Sequence, residues 1–447
     1  MKSKHSSSIL KLSTFGFLLA NLSFLNILET SKIYGEEENL EQKTSATSEI
    51  KDGSNVNSKS SGASLLIGAK GRFGKGAVFK CNLDGKNCEE FLGGNKKFDD
   101  PSDVHYKQVT LYQADNFGSG IAVSKSNIYI GSMGRNNKKA ADAGSISAAN
   151  FKEDIGAIFK CNLNGKDCFE FIGGQVGFNK NEEKNIDLYP TDNFGSSLIV
   201  MKDRMYVGCM GRDSKTKDEL GAIFECGLSE KFCSEIFAGK NKFSEKNNMF
   251  KENDAIGSSI FATKNHLFIG AFHKNEGNGR LLKCDLSFKK CEIIDALYLK
   301  LITNDSFGAS ITGNASNIFV GALGRNGIPR TDPALFDIGT VFKCSIEGTN
   351  CVEIVGGENK ESVTALALSV NDYLGSSVTL TDDYLFIGAM GRKNISGERT
   401  GAVYRCDLNG KNCVELLGGK NKDSLSADGI TLYDGDQFGS SLAVIPE

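Results

Sequence analysis

The stretch Asp372–Arg392 reads DYLGSSVTLTDDYLFIGAMGR, and Gly401–Gly419 reads GAVYRCDLNGKNCVELLGG. Each holds two β-rich apolar runs joined by a short polar turn, the pattern of a hairpin rather than of a helix. In the second, Asn409-Gly410 supplies the positive φ that a two-residue hairpin turn demands. Together they make a unit of four short strands.

The unit recurs along the chain. Openings of Asp-x-Phe-Gly type stand at Asp115, Asp192, Asp254, Asp305, Asp372 and Asp436. A second strand runs into Gly-x-x-Gly-Arg or its equivalent, ending at Arg72, Arg135, Arg212, Lys274, Arg325 and Arg392. A third signature, a Gly followed by an apolar strand into a Cys pair, starts at Gly76, Gly156, Gly221, Gly279, Gly339 and Gly401. Successive openings are on average about 64 residues apart. Four-stranded sheets repeated around an axis make a β-propeller. The fold class is therefore all-β, a propeller of four-stranded antiparallel blades over residues 62–447, with six blades expected. The repeats begin on a second strand (Leu65 to Ala69) and end on a lone first strand (Gly439 to Val444). The last strand is thus expected to complete the first blade, which removes two open sheet edges. A degenerate extra strand within residues 55–64 is the alternative, giving seven blades.

Twelve cysteines form pairs seven apart: Cys81 and Cys88, Cys161 and Cys168, Cys226 and Cys233, Cys284 and Cys291, Cys344 and Cys351, Cys406 and Cys413. On a hairpin the two members face each other, at about 5.5 Å between Cα atoms. Six disulfides are expected, each closing a short loop and worth at most about 2.5 kcal/mol. Zinc is the rival reading, but ligands spread over six hairpins do not converge on one ion. Cys209 is left over, in Gly-Cys-Met-Gly-Arg, and reads as a buried thiol rather than a nucleophile.

A second spacing joins Asp to a cation. Asp115 and Arg135, Asp192 and Arg212, Asp254 and Lys274, Asp305 and Arg325, and Asp372 and Arg392 are all 20 apart, although the other gaps vary widely. The short turn between strands one and two places each Asp opposite its cation, and ring closure brings Asp436 to Arg72. Six such pairs make a polar ring at one end of the propeller. It either locks hairpin register or faces a ligand. The connections between strands two and three, and between blades, lie at that same end and are long and variable: 136–155, 213–220, 326–338, 95–114, 175–191, 239–253 and 357–371. Loops on a rigid scaffold commonly carry recognition, though surface loops also simply tolerate insertion.

The chain has 447 residues with 40% hydrophobic and 24% charged, enough to bury a core. A net charge of −3 with no basic segment argues against a nucleic-acid partner. Four His leave little material for a multi-His metal centre or a His-dependent triad. Residues 1–35 read as a signal peptide: basic residues precede an apolar run from Phe15 to Leu28 that is too short to span a bilayer. Residues 36–61 read as a disordered polar leader. After signal removal no transmembrane segment is expected, and the protein is placed outside the cell or on its surface. Asn304, Asn314 and Asn394 lie in N-glycosylation acceptor patterns.

The Phe-Gly openings, the Gly-Ala strand ends and the cysteine hairpins resemble the FG-GAP repeats of integrin alpha subunits, over about residues 62–447. Gly279 to Cys291 is similar to the integrin third-strand cysteine hairpin. The resemblance implies a propeller, seven-bladed in integrins, and extracellular adhesion through the face carrying the long loops. Integrin calcium loops sit in the strand 1–2 connections. Here those are as short as Lys125-Ser126 and Asp382-Asp383, too short to wrap a cation with six to eight oxygens. No cofactor is therefore expected.

The function expected is adhesion or recognition of a protein ligand, on a host or a neighbouring cell. A structural coat component without a specific ligand is the alternative, and a propeller hydrolase a more distant one. The paired carboxylates are matched by cations and repeat sixfold, whereas catalysis needs a unique constellation. The chain is accordingly read as not an enzyme.

Overall fold

The computed structural model describes residues 62–94, 110–136, 154–173, 188–229, 232–240, 250–272, 277–294, 299–421 and 425–447. The expected signal peptide and leader lie outside them, as do most of the long connections between 95 and 253.

Six four-stranded antiparallel sheets follow one another. Blade I contains β1 (Ser64–Ala69), β2 (Ala77–Asn82) and β3 (Glu89–Gly93), with β24 (Phe438–Ile445) on its inner edge. Blade II is β4 (Phe117–Val123), β5 (Asn127–Ser132), β6 (Ala157–Asn162) and β7 (Phe169–Gly173). Blade III is β8 (Phe194–Met201), β9 (Arg204–Cys209), β10 (Ala222–Gly227) and β11 (Cys233–Ala238). Blade IV is β12 (Ile256–Ala262), β13 (His266–Ala271), β14 (Arg280–Asp285) and β15 (Cys291–Ile294). Blade V is β16 (Phe307–Gly313), β17 (Asn317–Ala322), β18 (Thr340–Ser345) and β19 (Val352–Gly356). Blade VI is β20 (Leu374–Leu380), β21 (Tyr384–Ala389), β22 (Ala402–Asp407) and β23 (Val414–Gly418).

Burial follows strand position. The first strand of blades II, IV, V and VI is buried at every residue, because neighbouring blades cover both its faces. Fourth strands are buried only toward their ends, as in the exposed-to-buried run of β23. The Phe of the Asp-x-Phe-Gly opening packs edge-on against a third-strand Phe in four blades, for example Phe117 on Phe159 with ring centroids 5.4 Å apart.

The repeated glycines set the distance between blades. A Cβ on Gly388 of β21 would lie 2.0 Å from the carbonyl oxygen of Gly439 in β24, and one on Gly321 would lie 2.1 Å from that of Gly375. Only a hydrogen fits at these contacts. Ser377 Oγ then donates to Gly439 O at 2.8 Å, and Ser197, Ser259, Ser310 and Ser441 make the same bond to the next blade.

The ring closes as its two ends require. β24 pairs with β1 from Ser64 against Ile445 to Ala69 against Phe438. Six parallel backbone bridges join each blade to the next: Gly76 to Phe117, Gly156 to Phe194, Gly221 to Ile256, Gly279 to Phe307, Gly339 to Leu374, and Gly401 to Phe438. The last of these returns the circuit to blade I, so the count is six. The seven-blade alternative is overturned because a closed ring leaves no gap for another sheet.

All six cysteine pairs are disulfide-bonded. Their Cα atoms are 3.9–4.2 Å apart rather than the expected 5.5 Å. Facing residues of the closely spaced antiparallel class approach to about 4.5 Å, which brings the half-cystines nearer than the hydrogen-bonded class would.

Candidate functional site

At the end of the ring where second strands finish and first strands begin, each blade but one buries a guanidinium. Arg135 Nη1 lies 2.6 Å from Asp115 Oδ2, Arg392 Nη1 2.6 Å from Asp372 Oδ2, and Arg212 and Arg325 meet Asp192 and Asp305 at 2.5 Å. Arg72 meets Asp436 at 2.5 Å across the closure. These side chains are at most 5% exposed, so the five pairs do not offer their charges to a ligand at the surface.

The pairs do more than align a hairpin. The Asp Oδ2 also accepts the backbone N–H three residues earlier, from Tyr112, Tyr189, Ile302, Ser369 and Tyr433, at 2.8 Å in each case. The arginine donates to carbonyls of the same connection: Arg135 to Thr110 O at 2.7 Å, Arg392 to Ala367 O at 2.8 Å and Arg72 to Thr431 O at 2.8 Å. Each cluster is a brace at the base of an inter-blade loop.

A second carboxylate completes the brace. Glu90, Glu170, Glu235, Glu353 and Glu415 project from the fourth strands to Arg72, Arg135, Arg212, Arg325 and Arg392. A β-bulge in the third–fourth pairing places each Glu opposite an aromatic residue, as Glu170 opposite Phe159. The guanidinium also lies over aromatic faces, Arg135 being 4.9 Å from the Tyr112 centroid and 5.5 Å from that of Phe159. Burial pulls Arg135 down, but Asp115 and Glu170 together raise it above its ordinary value. Burial pushes the Asp115 carboxyl up to about 6 against the opposing pull of Arg135, so the pair is ionised at neutral pH.

Glu at the second position after the second Cys was not singled out from the sequence, although Cys-x-Glu occurs in five of the six hairpins. Blade IV is the exception and shows the parts belong together. It has Ile293 in place of Glu and Leu282 in place of the aromatic residue, and its β14–β15 pairing runs without a bulge. The expected cation, Lys274, lies outside the described residues. Asp254 keeps the bond from Lys251 N at 2.7 Å; its Oδ1, like those of Asp115 and Asp305, is buried without a hydrogen-bond partner, and Arg280 is the first of the cations that act on it. Lys217, from the preceding blade, instead donates to the Phe250 carbonyl at 2.6 Å and helps hold that connection.

The remaining chemistry is sparse. Cys209 is buried, its thiol donating to Asp192 O at 3.1 Å, and burial pushes its pKa well above the ordinary thiol value. That environment suppresses the thiolate, so it is a poor nucleophile. Among the described residues no group of three or more His, Cys, Asp or Glu could hold a metal ion, and no helix is long and apolar enough to cross a membrane.

Seven of the eleven exposed large apolar residues among those described sit at the braced end, including Phe73, Ile302, Phe336, Ile395 and Tyr433. The rings of Phe73 and Tyr433 are 5.5 Å apart, tilted at 51°, and both lie against the Arg72 guanidinium.

No protein-family model and no curated protein matches this chain. Among solved structures it is similar to a chain from the crystal structure of a nidogen/laminin complex. The two share 10% identity, with a TM-score of 0.44 and a match over 86% of this chain and 98% of that one.

Proposed function

We propose that this chain is an exported, non-enzymatic recognition protein, related to the FG-GAP propellers, that engages a protein ligand with the braced end of its ring. The observation that carries the reading is the brace: a buried Asp–Arg–Glu cluster, repeated in five blades, fixes the base of each inter-blade loop. A rigid platform that holds variable loops at one end, with apolar residues exposed among them, suits partner recognition. Repetition and charge matching argue against a catalytic role for those carboxylates. Six disulfides favour an oxidising compartment, in keeping with an export signal and an extracellular or surface location.

The test is binding of the exported protein to host or neighbouring cells. Saturable binding that protease treatment of the cells removes, and that is lost when residues 326–338 and 357–371 are replaced by short turns, supports the reading. Binding that survives both changes points to a coat component, and turnover of a glycan or phosphoester substrate by the purified chain points to a hydrolase.

A further inference from the structure

Blade I departs from the repeat at Phe73. The residue that follows the brace cation is polar in the other five repeats, as Asn136, Asp213, Asn275, Asn326 and Lys393, and here it is aromatic. Its backbone is left-handed, with a φ of 49°, a conformation that a bulky side chain adopts only where its surroundings impose it. Those surroundings belong to the next connection: Gln113 Nε2 donates to Phe73 O at 3.2 Å, and Ala114 N to Gly74 O at 2.7 Å. The ring so held is 37% exposed.

The brace does not need this ring. Arg135 and Arg212 each lie against two aromatic faces, a tyrosine three residues before the Asp and a third-strand phenylalanine. Arg72 has the same two, Tyr433 at 5.1 Å and Phe79 at 5.4 Å, and Phe73 is a third at 4.4 Å. Tyr433 is 48% exposed and is hung on the brace, its N–H bonded to Asp436 Oδ2 at 2.8 Å. Two anchored rings thus share one guanidinium and leave much of their surface in solvent. Backbone strain that keeps a ring exposed suits a contact made outside the chain.

The neighbouring charges narrow what that contact is. A cation would place a second positive charge on rings whose π systems already hold Arg72. An anion would meet Asp434, which adjoins Tyr433, and a brace in which Asp436 and Glu90 outnumber one guanidinium. A wholly apolar ligand would strip water from Gln113, Asp434 and Lys75 without replacing its hydrogen bonds. The ligand that meets none of these penalties is neutral, apolar on one face and rich in hydroxyls at its edge. A pyranose has that shape, because its C–H bonds gather on one face and carry the slight positive charge that an aromatic face attracts.

We propose that Phe73 and Tyr433 form a subsite for a neutral pyranose, the C–H face of the sugar on the rings and its hydroxyls toward Gln113, Asp434 and Lys75. The subsite is independent of the protein-ligand reading, since it uses one edge of the braced end and none of the loops 326–338 and 357–371.

Saturation-transfer NMR of the exported chain tests this with cellotriose, mannotriose and chitotriose as neutral probes, sialyllactose as an anion and the deacetylated chitosan trimer as a cation. The expected result is saturable binding of a neutral trisaccharide, with transfer strongest at the C–H protons of one sugar face, and weaker binding of both charged probes. Phe73→Asn installs the residue that blades II and V carry at this place. It is expected to melt like wild type and to weaken the sugar about tenfold. Should it misfold, Tyr433→Ser makes the same comparison, serine being the equivalent residue before Asp372. Absence of saturable binding by all three neutral probes, equal binding of a charged one, or an unchanged affinity in the variants each overturns the proposal. Loss of cell binding in Phe73→Asn without any sugar binding by wild type assigns the rings to a protein ligand and overturns it too.

Discussion

Arg135 and Asp115, twenty residues apart, meet at 2.6 Å with both side chains essentially out of solvent, and Glu170 reaches the same guanidinium at 2.9 Å from the other side. The charges close a polar cluster inside an otherwise apolar blade. Removing one member leaves the others buried without full compensation.

Asp115→Ala is therefore expected to lower stability by about 3–5 kcal/mol, measured by urea unfolding. Asp254→Ala should cost only about 1–2 kcal/mol, mainly the bond from Lys251 N, because the cations around it, Arg280, Lys217 and Lys251, are shared with other parts of the connection. Equal losses in the two variants would contradict the brace.

Burial raises the Asp254 carboxyl from 3.8 to about 6. The folded chain then holds this proton more tightly than the unfolded chain does. Its contribution to stability grows as pH falls through 6 and is fully present below about 4; above 6 the buried charge is most unfavourable. Asp254→Asn should accordingly gain on wild type by about 1–2 kcal/mol at pH 7.5, with the gain shrinking toward pH 4. Unfolding curves at four pH values between 4 and 7.5 measure the slope.

Lys70 carries the opposite sign. Burial lowers its amine from 10.5 to about 7, so between those values the unfolded chain binds more protons and stability rises with pH. Lys70→Met removes this slope. The variant is expected to exceed wild type near pH 7, and the gap should narrow as pH approaches 10. A gap that does not change with pH would place the ammonium in a less buried setting.

Gly388→Ala sets a Cβ 2.0 Å from the Gly439 carbonyl oxygen, where the last strand enters blade I. Neither backbone can yield without opening the closure, and the loss is expected at about 1–3 kcal/mol or more. Gly397→Ala meets nothing within 4 Å and suffers only the strain of its φ of 88°, about 1 kcal/mol. Thermal melts of the two variants separate a packing role from a turn role.

How much of this was legible depends on which loops keep a constant length. Asp115 and Arg135 bracket a short turn between strands one and two, as do four of their counterparts, so the 20-residue interval survives in five repeats and points to the pair, while the sixth, Asp436 and Arg72, follows from ring closure. Glu170 lies 35 residues from Arg135, whereas Glu90 lies 18 from Arg72 and Glu353 lies 28 from Arg325. The connection between second and third strands varies, so this equally regular contact leaves no constant interval. Lys217 was invisible for a related reason: it acts on a neighbouring repeat, where no spacing rule applies.

Strand alternation, turn residues and the cut of the first and last repeats were enough to give the blades, their closure and the cysteine partners, because all of these depend on short-range geometry or on the order of pieces. Whether the charged ring faced outward or inward depended on packing. The same Asp and Arg types suit either place, and bulged fourth strands and aromatic faces enclosed them.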